Sequence, residues 1–293
     1  MNRGIVYAVA AYVIWGLFPL YYRLLAHVSA LQLTAHRVVW SALALAAVIV
    51  LTRQWPQWRA SAANSGVRRI YAVAAVLIAI NWFAFIWAVN AGQVLQTSLG
   101  YFITPLVNVL LGALVLRERL RAGQWCAIAL TAVGVIYLVL SYGSTPWAAL
   151  VLALSFGSYG LVKKTAPLPA LDGLLLETAI LVLPALVYLV HVDGAGTGAF
   201  LRSDAVTHLL LTGTGLVSTT PLLLFAAAAR RIPLTLVGLL FYVAPTLQFL
   251  LGVLVYHEPF THAQAIGFGI VWVGLLCFSA ESALVRRGLA ATS

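Results

Sequence analysis

Stretches of about 20 mostly apolar residues, each long enough for a helix to cross a hydrocarbon core, recur along this chain from end to end with only short polar interruptions. Inside a bilayer no water is available to the backbone, so continuous apolar runs of this length can cross only as helices that satisfy their own hydrogen bonds. Composition closes the alternative of a soluble globule: 63% of the 293 residues are hydrophobic and 8% are charged, whereas a soluble domain carries about 25% charge.

Read against their breaks, the apolar runs predict spans near 5–25, 31–52, 70–90, 94–116, 123–141, 146–163, 172–191, 206–229, 234–256 and 262–284. Only the connections Arg53–Arg69 and His191–Ser203 are long, which leaves no room for a soluble domain. The first run follows Arg3 as the core of a signal peptide would, but it continues to about Tyr22 and nine similar runs follow. It reads as a permanent helix. The two cysteines, Cys126 and Cys277, lie inside apolar runs without framework or metal-ligand spacing and read as core filler.

The formal net charge of +10 is dispersed in small basic groups between the runs, which argues against a nucleic-acid surface. Such groups orient membrane helices, because Lys and Arg collect in cytoplasmic loops. With the N-terminus inside, Arg3, Arg53, Arg59, Arg68, Arg69, Arg117, Arg119, Arg121, Lys163, Lys164, Arg230, Arg231, Arg286 and Arg287 share that side, 14 of the 17 Lys and Arg residues. Arg23, Arg37 and Arg202 fall toward the other. Ten spans with both termini inside is the consistent solution, since one span more or fewer scrambles every later loop. The paired basic residues also suit contact with lipid phosphate.

The chain repeats itself. An offset of 141 pairs Trp15-Gly16 with Phe156-Gly157, Arg23 with Lys164 and His36 with Glu177. An offset of 140 pairs Phe85 with Phe225, Pro105 with Pro245, Leu110-Leu111-Gly112 with Leu250-Leu251-Gly252, Glu118 with Glu258, Gln124 with Gln264 and Gly134 with Gly274. This divides the chain into residues 1–143 and 144–293, each with five spans. Five is odd, so the second unit enters the membrane the other way up. The expected fold is an all-α integral membrane protein of ten helices, built as two inverted five-helix repeats around a central cavity, an arrangement that secondary transporters use to hold substrate at the bilayer midplane.

The strings Ala11–Gly16 (AYVIWG), His36–Ser41 (HRVVWS), Asn81–Asn90 (NWFAFIWAVN), Ser98–Asn108 (SLGYFITPLVN) and Ala244–Leu247 (APTL) resemble RarD-type, EamA-like members of the drug/metabolite transporter superfamily. The resemblance spans the chain. It implies a ten-helix fold with a cavity lined by helices 1, 3, 4, 6, 8 and 9, a place in the bacterial inner membrane, and export of metabolites or drugs; RarD proteins are linked by name to chloramphenicol.

Counting about 1.5 Å per residue puts Pro105 and Pro245 at the midplane of their spans, together with Trp15, Asn81, Phe156, Thr219, Thr220 and Pro221. Tyr101, Thr104, Tyr159, Phe241 and Tyr242 lie within about a turn of that layer. Trp15, Tyr101, Phe156, Tyr159, Phe241 and Tyr242 are expected to offer aromatic faces to a substrate, and Asn81, Thr104 and Thr220 polar selectivity, with core packing as the bland account of each. An amide in hydrocarbon must find a partner, and bridging to another helix would satisfy Asn81 as well as a ligand would.

Ionisable groups within a span mark function by default. His36, Arg37 and Glu177 qualify. Arg37 suits the anionic group of a substrate, with snorkelling to the surface as its alternative. Glu177 is a possible coupling site, with a polar partner on a neighbouring helix as the alternative. Proline removes an amide and clashes with the carbonyl four residues earlier, so Pro105 and Pro245 are expected to act as hinges that free the carbonyls of Tyr101 and Phe241.

No HExxH, GxSxG or P-loop string is present, and no catalytic set converges at one depth. The expected function is therefore secondary-active transport of a small, amphipathic molecule, without cofactor or metal. The alternative is a membrane channel or scaffold without carrier activity. The orientation is directly testable: in a variant lacking Cys126 and Cys277, an impermeant thiol reagent is expected to label Ala195→Cys from outside intact cells, and Ser61→Cys only after permeabilisation.

Overall fold

The computed structural model describes residues 3–115, 121–141, 146–229, 231–232 and 240–291. The ninth span is described only from residue 240, and Arg117, Glu118, Arg119 and Arg230 lie outside the described residues. All regular structure among the described residues is helical: α1 (Arg3–Gly16), α2 (Phe18–Arg23), α3 (Ala30–Leu51), α4 (Trp55–Ala63), α5 (Ser65–Asn90), α6 (Val94–Leu114), α7 (Ala122–Ser141), α8 (Trp147–Thr165), α9 (Ala170–Gly194), α10 (Ala205–Ala229), α11 (Val243–Leu250), which runs on as a π-helical turn through Leu251–Val255, and α12 (His262–Ala291).

Short polar and proline-bearing signals place the helix starts. The Ser29 hydroxyl accepts the Gln32 amide at 3.3 Å to open α3, and the Asn64 side chain accepts those of Gly66 and Val67 to open α5. These caps satisfy amides that have no partner in the first turn. Proline stands in the first turn of α2 and of α4, where its missing amide costs nothing.

Seven segments are long and apolar enough to cross a membrane by length and composition: Arg3–Arg23, Ala30–Leu51, Ser65–Asn90, Val94–Gly112, Ala122–Ser141, Ala170–Gly194 and Ala205–Phe225. Val243–Val255 and His262–Phe278 are shorter apolar helices. The chain is a multi-pass membrane protein. The first span is not one helix, since Leu17 separates α1 from α2. The stretch Arg53–Arg69, expected as a loop, instead folds into α4 and the start of α5; Trp55 and Trp58 stack there at 5.0 Å, and the Trp58 indole donates to the Asp172 carbonyl at 3.1 Å. Cys126 and Cys277, expected in the core, are both exposed on the outer face of the bundle.

Helices pack as α7 with α12, α6 with α8, α3 with α10 and α9, α1 with α10 and α11, α5 with α8 and α9, and α6 with α11. Small residues permit the closest approaches, as is usual where hydrocarbon supplies no hydrophobic drive between helices. A Cβ at Gly215 of α10 would stand 2.4 Å from the Trp40 carbonyl oxygen of α3, and one at Gly100 of α6 would stand 2.9 Å from that of Ala149 in α8. At neither site can backbone retreat. Gly215→Val is expected to destabilise the protein in detergent by about 1–3 kcal/mol through overpacking, read as a lowered thermal midpoint. Gly269→Ala, which meets nothing within 4 Å, serves as the neutral control.

Candidate functional site

Polar and aromatic side chains from most of the helices converge on a cavity of about 30 Å³, room for water and for little else. Its wall takes Trp15 from α1, Phe18 from α2, Arg37 from α3, Asn81, Trp82 and Phe85 from α5, Tyr101 from α6, Phe156 from α8, and Phe241 and Gln248 around α11. The rings form a continuous cluster: Trp15 to Phe156 is 6.4 Å between centroids, Tyr101 to Phe241 is 6.1 Å, Phe156 to Phe241 is 5.9 Å and Tyr101 to Phe85 is 6.0 Å. Edge-to-face and tilted contacts of this kind stabilise aromatic clusters beyond their area alone.

Arg37 is the charged member of this wall. It is 3% exposed, so its head does not reach the surface. Its guanidinium lies 4.2 Å from the Trp82 ring, with the rings of Phe18 and Tyr22 at 5.4 and 5.6 Å. Its Nε finds no hydrogen-bond partner among the described residues.

The two wall amides are engaged between helices. Asn81 donates to the Leu152 carbonyl at 3.1 Å and the Ser155 hydroxyl at 3.2 Å, tying α5 to α8. Gln248 donates to the Trp15 carbonyl at 3.1 Å and accepts from Thr97 at 3.1 Å, tying α11 to α1 and α6.

The remaining sequence-derived residues surround the cavity without lining it. Thr104 is buried and donates to the Gly100 carbonyl of its own helix at 2.9 Å. Tyr242 stacks on Phe102 at 6.2 Å. Thr220 is exposed on the outer face of α10, while Thr219 is the buried member of that pair and bonds the Gly215 carbonyl at 2.8 Å. A helix turns 100° per residue, so adjacent threonines cannot share a face. The two prolines differ as well. α6 continues through Pro105, so no break stands there, whereas α11 begins after a turn at Tyr242, next to Pro245. The Pro245 carbonyl accepts the Ser98 hydroxyl at 2.8 Å.

Glu177, fully buried, accepts from Lys163 at 2.7 Å and from the Tyr159 hydroxyl at 2.9 Å. Lys163 faces the Tyr71 ring at 5.1 Å. Beyond the apolar spans, Glu258 reaches the first turn of α6 and accepts the amides of Val94 at 2.6 Å and Leu95 at 2.9 Å, a favourable place for a carboxylate at a helix N-terminus. Burial pushes its carboxyl pKa up, and these amides and Arg23 pull back down. Among the described residues no three His, Cys, Asp or Glu side chains converge to hold a metal ion.

Phe18, Trp82, Phe85 and Gln248 escaped sequence reasoning, although each stands within four residues of one that it selected. Lys163 escaped as the partner of Glu177 because it lies in a basic pair at the end of α8.

These features define a multi-pass helical membrane protein with a small aromatic cavity that has a cationic wall. The sequence pattern of the EamA-like transporter family matches residues 2–140 and again 144–280. The chain belongs to that family, in its RarD-type branch, and is a membrane transporter. It is 45% identical to the uncharacterized transporter YojE of Bacillus subtilis, over 98% of this chain and 96% of that one. It is 40% identical to protein RarD of Escherichia coli, over 98% and 97%. It is 34% identical to the chloramphenicol-sensitive protein RarD of Pseudomonas aeruginosa, over 98% and 96%. A crystal structure at 19% identity matches the fold with a TM-score of 0.60, covering 97% of this chain and 98% of that chain.

The buried pair yields a clear expectation. Lys163→Met strands a fully buried carboxylate and is expected to cost about 3–5 kcal/mol, seen as a lowered thermal midpoint. Joining it to Glu177→Leu is expected to restore most of the loss.

Proposed function

We propose that the chain is a secondary-active exporter of small amphipathic metabolites or drugs, in which two inverted five-helix repeats exchange conformations about the aromatic cavity. On this reading ten helices cross the membrane, residues 1–143 and 144–293 form the repeats, both termini are cytoplasmic, and the cavity stands at mid-membrane. Midplane binding at the interface of inverted repeats is the shared design of such carriers.

The observation that carries the proposal is that repeat-equivalent residues touch. Trp15 meets Phe156, Tyr101 meets Phe241 and Phe102 meets Tyr242, and each couple is separated by the offset of 140 or 141. The midpoint of two equivalent points lies on a two-fold axis. A pseudo-two-fold would therefore run through this ring cluster. Helix packing has the same symmetry: shifting by five spans exchanges α1·α10 with α8·α5, α6·α8 with α11·α1, and α3·α10 with α9·α5, while α3·α9, α6·α11 and α7·α12 map onto themselves. Inverting the chain's two halves about the cavity thus carries one set of contacts into the other.

A cavity of about 30 Å³ is far below the roughly 300–1,000 Å³ of ligand pockets, so substrate entry must part the walls. The turn beside Pro245 and the proline in α6 are the proposed hinges. The ion pair of Glu177 with Lys163 favours a structural partner role for that carboxylate over a coupling role. The name of the Pseudomonas aeruginosa relative makes chloramphenicol a reasonable first probe. In proteoliposomes loaded with chloramphenicol, saturable flux accelerated by substrate on the opposite side is expected, with Phe241→Ala slowing it about tenfold, the loss of one stacked ring contact. Flux that rises linearly with concentration and shows no acceleration would reveal a channel instead.

A further inference from the structure

The geometry points to an organic anion as the cargo of this cavity: a planar oxyanion such as a carboxylate, carried on an apolar or aromatic body and accompanied by no cationic group. The inference rests on the carrier reading above and adds the chemical class of the substrate.

Arg37 holds a permanent charge in the cavity wall at 3% exposure. A buried cation with no counter-ion is costly, and aromatic faces repay part of that cost. The guanidinium carbon lies 4.2 Å from the centre of the Trp82 ring. The guanidinium donors lie in its plane, and ring faces accept them only weakly. Nε has no partner among the described residues. A fork of in-plane donors matches a carboxylate in two parallel bonds.

Among the described residues the chain supplies no such carboxylate itself. It has 7 Asp and Glu residues. Glu177 is taken by Lys163, Glu258 by the start of α6, Glu281 by Arg121 and Asp204 by the Thr207 amide. Asp172 stands in the first turn of α9 and Asp193 in its last, and neither lines the cavity; Glu118 lies outside the described residues. Neither the Arg121–Glu281 pair nor the Lys163–Glu177 pair includes Arg37.

The same census sets the rest of the substrate. An ammonium group would meet no carboxylate in the cavity wall, only rings and amides beside a guanidinium that repels it. At the repeat position equivalent to Arg37 stands Thr178, which bonds the Leu174 carbonyl of its own helix. A zwitterion would therefore set its cation against the guanidinium, and a neutral molecule, chloramphenicol included, would leave Arg37 unpaired and so bind more weakly than an anion of similar size. The rings of Phe85, Tyr101, Phe156 and Phe241 accept the apolar body.

The test uses the full chain purified in detergent, with three probes sharing one ring and one chain length: hydrocinnamate, hydrocinnamamide and phenylalanine at neutral pH. Affinity is read from the ligand-dependent thermal midpoint. Hydrocinnamate is expected to bind about tenfold or more tighter than the amide, the value of one charge-assisted contact, and tighter than phenylalanine. Arg37→Gln is expected to remove that preference and Arg37→Lys to reduce it, so either variant decides the matter if the other does not fold. Equal binding of acid and amide, tighter binding of phenylalanine, no stabilisation by hydrocinnamate, or a preference that survives in an Arg37 variant would each overturn the assignment. The measurement needs no flux: failure here leaves the carrier reading intact, and absent counterflow beside an intact preference would leave an anion site in a protein that is not a carrier.

Discussion

A chain surrounded by hydrocarbon must find a partner for every polar group within itself, and that constraint governs the structure at each scale. It makes the segments helical. It then sends most hydroxyls back to their own helices: Thr34 to Ala30, Thr131 to Ala127 and Thr178 to Leu174, at 2.8, 2.9 and 3.0 Å. The few polar groups left to reach sideways become the registers between helices, as Asn81 does for α8, Ser98 for Pro245 and Gln248 for α1. Small residues fill the remaining interface, so that backbones lie close where no hydrogen bond draws them together.

Against this background the two family-matched halves share a backbone plan and differ in chemistry. Phe18 and Tyr22 of the first half surround the guanidinium of Arg37. Their equivalents by the offset of 141, Tyr159 and Lys163, both bond the carboxylate of Glu177, one residue before the equivalent of Arg37. One half thus closes its charge internally, and the other keeps it facing the cavity. The family pattern matches each half, and differences at a handful of positions make the two faces of the cavity unlike.

Most of the span pattern was legible because apolar length and the spacing of breaks are one-dimensional quantities; α3, α5, α6, α7 and α9 stand close to their expected limits. Trp15, Arg37, Asn81, Tyr101, Phe156 and Phe241, which the sequence singles out, line one cavity. Azimuth was not legible. A helix apolar on every side carries no stripe to say which way a residue faces, so Thr220 was selected where Thr219 is the buried one. Pairing between distant segments was equally hidden: Lys163 looked like a surface charge beside Lys164 until α9 set Glu177 against it. The short helix α4 went unread because it is too polar for a span, although Pro56 in its first turn was a signal for a helix start.

The ring cluster has an electrical consequence. Membranes that drive secondary transport hold a voltage, worth about 2.3 kcal/mol per elementary charge for each 100 mV, and any continuous thread of water through an idle carrier would discharge it. Trp15, Tyr101, Phe156 and Phe241 meet ring to ring around a space of about one water, and none of these rings offers a proton a chain of oxygens to hop along. On the carrier reading, the rings that a cargo would push apart would also be what insulates the resting protein against a leak of current.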